Sequence, residues 1–428
     1  MHINRRRFLK TTGLALVLST ALAGTVFGQA SPMEVGAEDL DAVLSAAVER
    51  GDVPGVVAAL TNRDETLYRG AFGERGLGQG VPMDFDTVFY TASMTKPVTA
   101  VAAMQRVEEG DLELDAPISR WVPEAADLQV LEGWSEDGEP RLRAPSREIT
   151  LRDLLTHTSG FAYNLWNADL DRFMETQNFP ALDSGEERAF YPPLMFDPGE
   201  RWEYGISIDW VGKLVEVVSG KSLGTYMQDH IFNPLGMDST GYRLTPDMEA
   251  RRATTHQREE DGTLTPTDWV RQQDPLLELG GGGLYSTAED YLKFIRMILN
   301  DGTGNGTRVL KPETVDLMTR NAMGDIRVVM LPSQDQSRSL DAEFFPGLEK
   351  SWGLSFMINE EPAPTGRPAG SLAWAGIQNT FFWIDRLTWV GGVYMTQILP
   401  FVDEKALANF EEFEAAVYRT GVSSISAQ

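Results

Sequence analysis

The chain has 428 residues, 42% hydrophobic and 23% charged, with 40 glycines and 23 prolines. This is the composition of a folded globular protein, long enough for two or three domains or for one large domain with an insertion; disordered and fibrous chains are excluded. Sixty-three acidic residues against 37 basic ones give a formal charge of −26, which argues against nucleic acid and anionic membrane surfaces as partners, because both are bound through clustered Lys and Arg. No cysteine is present. Thiol nucleophiles, cysteine-ligated zinc, iron–sulfur clusters and disulfides are thereby excluded, and any covalent catalysis must run on oxygen or nitrogen.

The N-terminus reads as an export signal over residues 1–30: Asn4-Arg5-Arg6-Arg7-Phe8-Leu9-Lys10, a charge-free apolar stretch, then Gly28-Gln29-Ala30 as a small-residue cleavage site. It resembles a twin-arginine signal, which implies folding in the cytoplasm and delivery to the periplasm or outside the cell. An uncleaved membrane anchor is the alternative reading of the same stretch. Cleavage would remove four basic residues and no acidic one, taking the charge from −26 to about −30, with no stable membrane span left.

Next along the chain, Leu40, Val43, Leu44 and Val48 recur at helical spacing within residues 39–50. Val53 to Leu60 and Glu65 to Phe72, separated by Thr61-Asn62-Arg63-Asp64, read as a β-hairpin. Residues 93–300 are dominated by helical periodicity and long Pro/Gly-containing loops, with 122–148 a surface excursion. Ser351 to Asn359, Ser371 to Asp385 and Thr388 to Ile398 read as strands, and Ala406 to Tyr418 as a C-terminal helix. There is no internal repeat. The expected architecture is an α+β body over about 36–100 and 285–420 with a mostly helical subdomain over about 100–285, together one domain across 31–420.

Ser93-Met94-Thr95-Lys96 opens a helical-period segment. Residues i and i+3 share a helix face, so the Ser93 hydroxyl and the Lys96 amine fall within reach of one another. Helix-start amides beside Ser93 would favour a developing oxyanion, and burial would turn Lys96 toward the neutral base. On its own the tetrad is also compatible with an N-cap serine and a surface lysine.

Three further elements follow: Leu154-Leu155-Thr156-His157-Thr158-Ser159-Gly160, then Pro198-Gly199-Glu200-Arg201-Trp202-Glu203-Tyr204, then Gly280-Gly281-Gly282-Gly283-Leu284-Tyr285-Ser286-Thr287-Ala288. In this order and spacing the set resembles the serine β-lactamase and D,D-peptidase superfamily, closest to the class C-like hydrolases that include family VIII carboxylesterases. The resemblance covers roughly residues 37–420. It implies a β-lactamase/transpeptidase-like fold, an antiparallel sheet flanked by helices. It also implies Ser93 as acylated nucleophile, Lys96 as its proton partner and Tyr204 as the second member of the general-base pair. A phenol held near an ammonium can be biased toward phenolate, although Tyr204 could equally pack within a Trp202/Tyr204/Trp210 cluster.

The stretch matching the family's Lys-Thr-Gly or His-x-Gly triplet is Trp374-Ala375-Gly376. Trp374 offers no formal charge where a Lys or His would bind a substrate carboxylate. Gly376 still permits close backbone approach, so the Ile377 and Ser93 amides together would form the oxyanion hole. Tyr204-Gly205-Ile206 replaces the usual Tyr-x-Asn, and Tyr-Gly-Ile-Ser-Ile-Asp209 is similar to the esterase version. Tyr163 and Trp166 wall the pocket or simply pack in their loop. Both departures suit a neutral ester. A small-molecule ester or amide is the expected substrate. β-Lactamase, carboxypeptidase or D-aminopeptidase, acyltransferase and a non-catalytic penicillin sensor remain as alternatives.

Gly220-Lys221-Ser222-Leu223-Gly224 matches the nucleophile elbow of α/β-hydrolases, but that elbow joins a strand to a helix. The segment before it has helical period, so Gly220 reads as a C-cap and Ser222 as the next N-cap. His157 is expected to fix its loop, His230 falls in a helical run and His256 in a polar stretch. The glycines at 280–283 lack phosphate-loop spacing and suggest a tight turn against the site, followed by a capping box from Ser286 to Glu289. No metal motif occurs, so neither metal nor cofactor is expected.

Overall fold

The computed structural model describes residues 36–419, so the signal expected over residues 1–30 lies outside the described residues. Helix α1 spans Ala37–Glu49 and leads into strands β1 (Gly55–Thr61) and β2 (Thr66–Gly73). Helix α2 is Thr95–Glu109, α3 is Ser207–Ser219 and α4 is Ala288–Leu299. Late in the chain come β3 (Lys350–Trp352), β4 (Met357–Asn359), β5 (Leu372–Gly376), β6 (Thr380–Asp385), β7 (Val390–Met395) and helix α5 (Glu404–Arg419).

These seven strands form one antiparallel sheet in the order β3-β4-β5-β6-β7-β1-β2. Helices α1 and α5 pack together on one face, while α4 packs across β1, β6 and β7. The period-two alternation of a strand explains why both faces are apolar. Phe381 and Trp383 point toward α5, where Phe410 stacks on Phe381 with centroids 4.6 Å apart and Phe413 meets Trp383 edge-on. Phe382, between them, lies 5.2 Å from Tyr291 of α4.

Two expected strands are subdivided. Ser351 to Asn359 is the β3–β4 hairpin, with Ser355 at φ 74°, and Ser371 to Asp385 is β5 plus β6, joined by a turn in which Asn379 has φ 58°. A run buried on both faces carries no polar break to mark such turns. The excursion at 122–148 contains its own two-stranded ribbon, Val130–Trp134 with Pro140–Arg143. Helix α3 ends at Gly220 (φ 68°), and Ser222 Oγ accepts from the Thr225 N–H to cap the helix Leu223–Met227, so no strand enters this turn. The cap of α4 lies one residue later than the sequence suggested: Thr287 Oγ1 accepts from the Asp290 N–H.

Phe410 is buried and touches three aromatic rings of the sheet. Phe410→Ala should destabilise the fold by about 3–5 kcal/mol in a urea titration, whereas Leu387→Ala at a site 72% exposed should stay within about 0.5 kcal/mol.

Candidate active site

Phe89–Tyr90 pairs with Tyr285–Ser286, and directly afterwards the chain turns through the 3₁₀ segment Ala92–Met94 into α2. Ala92 takes φ 45°, a left-handed conformation that costs a non-glycine residue about 1–2 kcal/mol. Three hydrogen bonds over-determine the turn: Thr91 Oγ1 donates to the Leu284 carbonyl (2.8 Å), the Leu284 N–H to Thr95 Oγ1 (3.1 Å) and the Tyr291 hydroxyl to the Met94 carbonyl (2.9 Å). From the sheet side, a Cβ on Gly376 would fall 2.4 Å from the Thr91 carbonyl oxygen. The strand can therefore touch the Ser93 turn only without a side chain there.

Lys96 occupies the first turn of α2 and is completely buried. Its Nζ donates to the Gly281 carbonyl at 2.6 Å, to Ser93 Oγ at 3.1 Å and to the Tyr163 hydroxyl at 3.2 Å, and lies 4.5 Å from the Tyr204 ring centroid. Burial lowers its pKa to about 7, against an opposing pull from Asp209. Near neutrality a large fraction of Lys96 is thus the free amine, whose lone pair can receive the Ser93 proton.

Tyr204 is buried beside Ser93, which hydrogen-bonds its phenol, and Trp374 Nε1 donates to the same oxygen at 3.0 Å. Burial pushes the phenol well above its usual range, while the Ser93 and Trp374 hydrogen bonds pull it back. The phenolate bias expected from a neighbouring ammonium is therefore outweighed: the same burial that discharges Lys96 keeps Tyr204 protonated. Tyr204 is packed by Trp374 (centroids 4.9 Å apart), His157 (4.8 Å), Tyr163 (5.3 Å) and Trp166 (5.5 Å).

The other expected residues gather around this centre. Trp166 Nε1 donates to Ser339 Oγ at 3.1 Å, and Ile206 is buried immediately before α3. Ile377, just past β5, packs against the small apolar cluster that contains Tyr90, Ala92 and Tyr285. His157 (φ 56°) accepts from the Gly205 N–H through Nδ1 at 3.4 Å. Burial, then the Lys96 charge, holds its imidazole well below 6.5, so it is a neutral brace under Tyr204.

Asp209 received no role from the sequence. Its Oδ1 accepts from the Gly281 N–H at 2.8 Å and its Oδ2 from the Tyr163 hydroxyl at 3.4 Å, so it holds both residues that Lys96 grips besides Ser93. Burial raises its pKa, and the Lys96 charge is the main opposing effect. An aspartate in the first turn of an apolar helix was the available signal, but only tertiary contact gives it partners. The glycine run has the same explanation: a Cβ on Gly281 would meet Asp209 Oδ2 at 2.5 Å, and one on Gly280 the Ile208 carbonyl at 2.5 Å.

The β-lactamase family pattern matches residues 40–417. The chain belongs to the β-lactamase family. Among relatives, a monacolin J acid methylbutanoyltransferase of Aspergillus terreus is 34% identical over 390 residues, covering 87% of this chain and 93% of its own. The lovastatin esterase of Penicillium rubens is 32% identical over 397 residues, covering 89% and 98%. The solved structure of unliganded simvastatin synthase from Aspergillus terreus superimposes with a TM-score of 0.78 at 30% identity, covering 90% of this chain and 99% of that one. The fold is the β-lactamase/transpeptidase-like fold, and this β-lactamase-family chain is an enzyme of the serine hydrolase and acyltransferase group.

Trp374→Phe keeps the ring but removes the donor to the Tyr204 oxygen. A neutral hydrogen bond that orients the phenol against Ser93 contributes about 0.5–1.5 kcal/mol, so kcat should fall about threefold to tenfold, with the thermal midpoint little changed.

Proposed function

We propose that this enzyme is an exported carboxylesterase acting on small or medium acyl esters through an acyl-enzyme on Ser93. Ser93 Oγ attacks the ester carbonyl as its proton passes to the neutral Lys96 amine, with the Tyr204 phenol bridging the same serine oxygen. The Ser93 and Ile377 amides hold the developing oxyanion. The proton then travels back to the leaving alkoxide, and a water deprotonated by the same pair releases the acid.

The observation that carries the ester reading is the hydrogen bond from Trp374 Nε1 to the Tyr204 hydroxyl. An indole stands where a β-lactamase or peptidase would present a cation to a substrate carboxylate, and its one donor is already engaged at the reacting centre. Ile206 in place of an amide makes the pocket less suited to a peptide-like acyl chain. Acyl transfer to an alcohol is the second reading, supported by the methylbutanoyltransferase relative. Adding a primary alcohol to an ester assay separates the two by whether product ester accumulates. Export is supported by the residues 4–30 pattern and tested by N-terminal sequencing of the mature protein.

In a panel of p-nitrophenyl esters, β-lactams and D-amino peptides, ester turnover should dominate. Ser93→Ala should lower it at least about 10⁴-fold, and Ser222→Ala should leave most of it. Dominant turnover of a chromogenic cephalosporin would overturn the ester assignment. The base must be unprotonated, so kcat/KM should rise with pH through about 7 as Lys96 loses its proton and stay level above. A profile flat from about pH 5 to about pH 8 would exclude Lys96 as a base of lowered pKa.

A further inference from the structure

Beside the nucleophile turn, on its Tyr90 side, lies a cavity of about 200 Å³ that the mechanism above leaves unused. Its walls include Leu182, Trp269, Leu276 and Leu279, with Arg271 as its cation and Asp183 as its carboxylate. Both Trp269 and Arg271 touch Tyr90: the rings of Trp269 and Tyr90 are 5.0 Å apart, and Arg271 Nη1 donates to the Tyr90 hydroxyl at 3.3 Å. Tyr90 in turn donates to the Gly282 carbonyl at 2.5 Å and packs with Ile377 and Ala92. One tyrosine side chain therefore separates the guanidinium from the glycine run.

Arg271 is held ready rather than neutralised. Its backbone N–H donates to the Tyr285 hydroxyl at 3.1 Å and its carbonyl accepts from Gln273 at 2.7 Å. Among the described residues no carboxylate lies within ion-pair distance of it, and its Nε and Nη2 have no protein acceptor. Other partly or fully buried arginines are engaged: Arg258 pairs with Asp403 at 2.8 Å and Arg367 with Glu414 at 2.8 Å. In a chain of net charge −26, a half-buried guanidinium left unpaired beside the reacting centre is a group kept for an anion. A planar cation beside Leu182, Trp269, Leu276 and Leu279 fits a short aliphatic chain ending in a carboxylate.

We propose that Arg271 and this cavity form a carboxylate subsite, so that the natural substrate is an ester bearing a free carboxylate on an apolar arm. The proposal rests on the ester reading above and deepens it: the cation missing at position 374 is supplied by a different element, on the other side of the nucleophile turn. Asp183 opposes the ligand charge from the same cavity, which keeps affinity moderate.

Two measurements test this. In Ser93→Ala protein, calorimetric titration with hexanoate should show saturable binding and hexanol should bind at least about tenfold more weakly. Arg271→Met should weaken hexanoate at least about tenfold, Arg271→Lys should restore part of it, and Asp183→Asn, by removing the opposing charge, should tighten it at least about threefold, a gain that misfolding cannot produce. In the active enzyme, the kcat/KM ratio for p-nitrophenyl hydrogen glutarate over p-nitrophenyl valerate should exceed one and fall at least about tenfold in Arg271→Met; an ester with the carboxylate on its alcohol side forms the second arm. Hexanoate binding that ignores both Arg271→Met and Asp183→Asn, or no preference for a carboxylate in either arm, overturns the subsite. Hexanoate binding intact with no ester turned over overturns the ester reading and leaves the subsite standing.

Discussion

The burial of one lysine amine organises this site. Among the described residues Lys96 has no carboxylate within contact distance; its nearest partners are a serine hydroxyl, a tyrosine hydroxyl and a backbone carbonyl, all of which a neutral amine can satisfy. Each partner has to be brought to it. The Gly281 carbonyl arrives because Gly280 and Gly281 let a loop lie against α2 and α3 without side chains between them. Asp209 clamps that loop through the Gly281 N–H and clamps Tyr163 through its hydroxyl, so a single buried carboxylate fixes two of the three contacts while its charge limits how far the lysine is discharged.

The sheet supplies the opposite wall. Because β5 ends in Gly376, the strand comes within contact of Thr91 and brings Trp374 over Tyr204. The indole packs the phenol and donates to its oxygen, so its polar atom is spent on Tyr204 and its ring keeps the surroundings apolar. A cation at this position would disfavour a proton on Lys96; an indole does not. Charge recognition is thereby separated from proton transfer, with Arg271 on the far side of Tyr90, clear of direct contact with the lysine.

Much of the fold and the centre of the site were legible along the chain. Ser93 and Lys96 are three residues apart at a helix start, so their contact is local and follows from helical geometry. Ser222 was equally legible as a cap, because the period of α3 up to Ser219 leaves no strand to make an elbow. The sheet was legible as segments but not as strands: turns at Ser355 and Asn379 use positive φ at non-glycine residues inside apolar runs, which no periodicity marks.

What the sequence determined by itself was the set of elements, the order of the reactive residues and their chemical types. The tertiary structure alone decided their ionisation and their partners. Lys96 titrates near 7 because of desolvation, and desolvation is a property of everything packed around an atom. Asp209 meets Gly281 across 72 positions and Trp374 meets Tyr204 across 170, distances at which neither spacing nor propensity carries information. The cation that the motif at 374–376 lacks was likewise invisible as such, since Arg271 stands among polar loop residues and becomes part of the site only when that loop folds back onto Tyr90.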